Sequence, residues 1–146
     1  MITTKLKTIL TASGCTLVLY EQQQLANLYT DQSDQLDVVG LILQPPEILL
    51  EVRANAIAEH YAPITIEILQ QVSLEDNADN NEVQLQALLD ICKQIIVRAI
   101  HEAEFKTITP VAATRILQSK YDANVIGWSI PLNLYYYNNE TRVPCL

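Results

Sequence analysis

The sequence predicts a single α+β domain in which a mostly antiparallel sheet is covered by one long helix, with a short helix at the N-terminus. Leu85, Leu88, Leu89, Cys92, Ile95, Ile96, Ala99, Ile100 and Ala103 fall on one stripe of a helix, while Asp90, Lys93, Gln94, Arg98 and His101 lie mostly opposite. Two stretches alternate with polar or small neighbours, as strands with one buried face do: Ile64, Ile66, Ile68, Val72 and Leu74, then Ile126, Trp128, Ile130, Leu132, Leu134 and Tyr136. The length of 146 residues, 49% of them hydrophobic, fits one core large enough to fold without a metal or a disulfide.

In chain order, Ile2, Leu6, Ile9 and Leu10 sit at helical spacing and Gly14 stands where a helix stops, which predicts a short amphipathic helix over 2–13. Cys15 to Tyr20 is apolar and β-favouring, a strand. Residues 21–35, rich in glutamine, read as a polar loop or exposed excursion. Leu36 to Leu43 is nearly continuous in apolar residues, as a strand buried on both faces is, and Pro45-Pro46 ends it because neither residue can donate to a ladder. Ile48 to Val52 looks extended, while Ala54 to Tyr61 admits one or two helical turns; strand followed by an irregular link is the reading adopted.

Ile64 to Leu74 reads as a half-buried strand, with Thr65, Glu67, Gln71 and Ser73 on its polar face. Residues 75–81 form an acidic, asparagine-rich turn ending in natural helix caps. The covering helix then runs from Glu82 to Phe105, about 35 Å at 1.5 Å per residue. Thr107 to Asp122 stays open between a helix begun by Thr109-Pro110 and a strand over Thr114 to Tyr121 with a turn at Asp122-Ala-Asn124. The last strand holds Pro131, which implies a sheet edge or a bulge.

Composition narrows the function. Seventeen acids against nine bases give a formal charge of −8, which repels phosphate, and the one basic concentration, Lys93 to Lys120, is interrupted by Glu102 and Glu104. Direct nucleic-acid contact is not expected. No apolar run approaches the roughly 18 to 20 residues of a membrane span. Met1 to Leu10 carries Lys5 and Lys7 and no h-region, so no secretory leader is read there. The chain reads as soluble and made in a reducing cytoplasm.

Motifs for chemistry are equally sparse. Cys15, Cys92 and Cys145 are far apart and form no CxxC pair, so zinc and redox sites are unsupported; Cys15 and Cys92 read as core fillers. His101-Glu102 begins like HExxH, but Phe105 stands where the second imidazole belongs. His60, after Glu59, reads as a polar boundary residue, and Glu59-His60 has no evident third partner. Asp90 and His101 read as exposed helix residues. The acidic segments 31–37 and 75–82 read as solvated loops rather than metal sites. No GxSxG, P-loop or GxGxxG occurs. No catalytic, cofactor or metal site is predicted, and the chain is not expected to be an enzyme.

The stretches Tyr61-Ala-Pro-Ile-Thr-Ile-Glu-Ile-Leu69, Glu82 to Phe105 and Asp122-Ala-Asn-Val-Ile-Gly-Trp-Ser-Ile-Pro-Leu-Asn-Leu134 look like a central strand, a covering helix and a final strand. In the order α-β-β-β-α-β-β, most of the chain resembles the tail-terminator and tail-completion proteins of tailed bacteriophages. The resemblance implies a non-enzymatic subunit of a homo-oligomeric ring in the virion neck or tail. Such a ring caps the tail tube or joins it to the portal, touching other neck, portal or tail proteins. The segment 21–35 and the tail Tyr135 to Leu146 depart from that pattern and either reach a neighbouring subunit or are a loop and a packed terminus. Candidate interface residues are then Asp31, Asp34, Asp37, Pro131, Asn133, Tyr135, Tyr136, Tyr137 and Arg142. The other class compatible with the pattern is a soluble adaptor or small-molecule-binding α+β domain.

Overall fold

The structure, a computed structural model, describes residues 2–20, 37–43, 47–53, 56–71, 78–102, 111–116, 119–120 and 123–137. Among the described residues, two helices and seven strands follow one another as α1 (Ile2–Ser13), β1 (Leu17–Tyr20), β2 (Val38–Leu43), β3 (Leu49–Arg53), β4 (Ala56–Gln71), α2 (Ala78–Ile100), β5 (Thr114–Ile116), β6 (Ser119–Lys120) and β7 (Ala123–Tyr137). The fold is α+β. The strands are ordered β1-β2-β4-β7-β5, with β3 paired to β4 and β6 to β7. The sheet is mixed: β1 and β2 run parallel, every other described pair antiparallel.

Helix α1 forms where the apolar spacing places it and buries Ile2, Leu6, Ile9 and Leu10. It stops at Gly14, whose φ of 120° is open to glycine and strained for other residues. Gly14 N donates to Thr11 O and Cys15 N to Leu10 O, the paired bonds of a Schellman stop, so the helix's last carbonyls are satisfied. The chain turns directly into β1. Thr16 N donates to Val38 O at 2.9 Å, and Val38 N returns a bond to Thr16 Oγ1 at 2.9 Å, which locks the parallel start of β1 and β2.

The covering layer is shared by two helices, not carried by one. Leu6 and Leu10 of α1 and Leu88, Cys92, Ile95 and Ala99 of α2 belong to one buried cluster with Ile42, Ile66, Ile68, Ile126, Ile130 and Leu132 of the sheet. Helix α2 also begins four residues before Glu82, inside the stretch read as a turn. It ends at Ile100 rather than Phe105, with Glu102 N tightening onto Ala99 O at 3.2 Å.

Strand β4 departs from its expected half-buried pattern. Ile64, Ile66 and Ile68 face the helices, but Glu67 and Leu69 on the opposite side are buried as well, at 1% and 0% exposure. The reason is position: β4 lies between β2 and β7, and its far face holds a second cluster of Leu19, Val39, Leu41, Leu69 and Val125. Strand β2, read as buried on both faces, is so. Val72 and Leu74 fall outside the described residues, as do the segment 21–35 and the Pro45-Pro46 stop.

Two ambiguous stretches resolve as strand. Ala56 to Tyr61, read as an irregular link, opens β4 and pairs with β3 from Arg53↔Ala56 to Leu49↔His60, a hairpin. Thr114–Ile116 and Ser119–Lys120 are strands laid against β7, the strand alternative for that region. For Pro131 the edge alternative holds among the described residues. The register between β4 and β7 slips between Tyr61 and Ile64, three residues of β4 spanning two of β7, so the irregularity lies at Ala62-Pro63 and not at Pro131. This irregularity flips side-chain parity and puts Tyr61 and Ile64 in the same core. Pro131 lies beyond Ser129, the last β7 residue paired to β5, where β4 is the one partner of β7 among the described residues.

Candidate assembly surface

Before the Ala62-Pro63 irregularity, the first residues of β4, the end of β7 and β3 form a three-stranded arm: Ala58 to Tyr61 pair with Leu134 to Tyr137 on one side, and Ala56 to His60 with β3 on the other. Ile48, just before β3, and Leu50 and Val52 on it share one parity and are 41%, 63% and 72% exposed. Leu49, of the opposite parity, is 57% exposed. An edge strand with large aliphatic side chains in solvent is a ready pairing or docking surface, and one that soluble proteins ordinarily blunt. Glu47 and Glu51 share the parity of Leu49, opposite to that row.

A second apolar surface lies on the helix layer. Thr8, Ile9 and Ala12 of α1 and Val97, Arg98, His101 and Glu102 of the other helix line a cleft of about 440 Å³. Val97 and Ile100, one turn apart on α2, are both about half exposed. Ile100 had been placed on the buried stripe; the helix is turned so that Ile95 and Ala99 face the sheet and Ile100 faces outward. At the cleft, Lys5 Nζ approaches Glu102 Oε1 at 3.7 Å across the two helices; elsewhere on α2, Lys93 pairs with Asp90 at 3.8 Å.

Of the interface residues predicted from sequence, Pro131 and Asn133 are exposed on the sheet face away from the helices. Tyr135, Tyr136 and Tyr137 belong to β7 and pair with His60, Glu59 and Ala58, so the tyrosine triplet continues the sheet and is not a free tail. Asp37 is engaged locally, accepting from Thr16 Oγ1 at 3.2 Å beside the start of β2. Asp31, Asp34 and Arg142 lie outside the described residues. The structure thus brings Tyr135 to Tyr137 onto the arm with β3 and leaves Pro131 and Asn133 on another surface. Sequence reasoning missed the β3 row and Val97. An apolar run in a short strand gives no sign of which side meets water.

Burial pushes the thiols of Cys15 and Cys92 up to about 12, with the neighbouring Cys15 adding to the rise at Cys92, so both are neutral, poor nucleophiles near pH 7. Both fill the core as expected. Glu59 accepts from the Tyr61 hydroxyl at 2.8 Å, and Asp90 accepts from Gln86 Nε2 at 3.1 Å. Among the described residues no group of three or more His, Cys, Asp or Glu side chains is placed to hold a metal. No helix of the described residues is long and apolar enough to cross a membrane.

No known protein-family profile and no curated protein matches the chain at a significant level.

Proposed function

We propose that this chain is a structural subunit of a tailed-bacteriophage neck or tail, forming a ring that joins the portal side to the tail or terminates the tail tube. The observation that carries an assembly role is the row of aliphatic residues held in solvent on β3. A ring subunit needs two different faces to meet its two neighbours, and the arm and the helix cleft supply two apolar faces on separate elements. Among the described residues the order is one helix, four strands, a second helix and three strands, one strand more on each side of the second helix than the order on which the resemblance to neck and tail proteins rests. The subunit acts by surface complementarity and has no catalytic step.

The test is the assembly state of the purified chain by mass photometry, alone and with the portal and tube proteins of the same phage. A closed ring, or a monomer that adds to a partner ring, is expected. A strict monomer indifferent to both proteins overturns the reading.

A small-molecule-binding role is the second reading, and the cleft between the helices favours it, since about 440 Å³ lies within the range of ligand pockets, roughly 300 to 1,000 Å³. A thermal-shift screen separates the two: a ligand that raises the melting temperature and is lost on Val97→Asp supports binding in the cleft.

A further inference from the structure

We draw no further inference here: the strongest candidate, the cleft between α1 and α2 with Ile9, Ala12 and Val97 in its lining, carries nothing because nothing in the structure shows what covers it.

Discussion

Trp128 Nε1 donates to the backbone carbonyl of Leu85 across 2.9 Å, tying the middle of β7 to α2 over 43 positions of sequence. A helix carbonyl already serving its own i+4 amide has a second lone pair, so the indole adds a bond without breaking the helix. Trp128→Phe removes the donor, leaves no orphaned acceptor and shortens the ring. It should cost about 1 to 2 kcal/mol, one hydrogen bond plus lost contact area. Urea unfolding of the two proteins measures it. A loss below about 0.5 kcal/mol would show that the bond is replaced by water.

At Gly127 the backbone of β7 comes close to that of β4. A Cβ there would sit 1.8 Å from Ile68 O and 2.9 Å from Ile68 C, atoms of the neighbouring strand that cannot rotate away. Gly127→Ala should therefore separate β7 from β4 and lower stability by about 3 kcal/mol, the upper end of overpacking. The readout is the denaturation midpoint together with amide exchange at Leu69 and Ile126. Unchanged protection at both would refute the close approach.

What the sequence revealed divides by periodicity. Helix α1 and its Gly14 stop, α2, and the alternation of β7 are long patterns, and a long pattern has few competing interpretations. Three features escaped. Ala56 to His60 contains alanine, glutamate and histidine, weak strand formers, and becomes strand because β3 and β7 pair with it on both sides. Glu67 alternates as a surface residue would, yet it is buried because β4 is central, which depends on strand order and not on local pattern. Ile48 to Val52 reads alike whether covered or bare. The candidate surface was thus the least legible part, since exposure is set by which elements fail to reach it.

The two buried thiols give a pH signature. An ordinary thiol titrates near 9.0, and in the fold Cys15 and Cys92 are raised to about 12. The neutral form is favoured when folded, so stability is unaffected below pH 9 and falls as pH rises from 9 towards 12, by up to ~1.4 kcal/mol per pH unit for each thiol. Cys15→Ala/Cys92→Ala should flatten that decline between pH 9 and 10.5. The same burial should protect both thiols from maleimide at pH 7.5 until denaturant is added, followed residue by residue by mass spectrometry. Rapid native labelling of either would contradict the burial.

Gly14 is required by its backbone angle more than by space. A Cβ would meet Ile91 Cδ1 at 3.5 Å, ordinary contact, but the φ of +120° disfavours any side chain. Gly14→Ala should cost more than about 1 kcal/mol, beyond the gain from a stiffer unfolded chain. Thermal unfolding should show a melting temperature several degrees lower with the helix content at 20 °C retained. An unchanged melting temperature would place the helix stop elsewhere.

Gly40 presents the opposite situation, a steric limit set by one movable side chain. A Cβ on β2 at this position would lie 2.6 Å from Leu10 Cδ2 and 3.1 Å from Cys15 Sγ, the two residues that also close the α1 stop. Gly40→Ala alone forces Leu10 to shift and should cost about 1 to 2 kcal/mol. Leu10→Ala alone removes a fully buried leucine and should cost about 3 kcal/mol, including its cavity. In the double variant the new methyl occupies part of that cavity, so the combined loss should fall short of the sum by about 1 to 2 kcal/mol. Equal cost of Gly40→Ala in both backgrounds would mean that Cys15, not Leu10, sets the limit, and that α1 reaches β2 through the sulfur side of the contact.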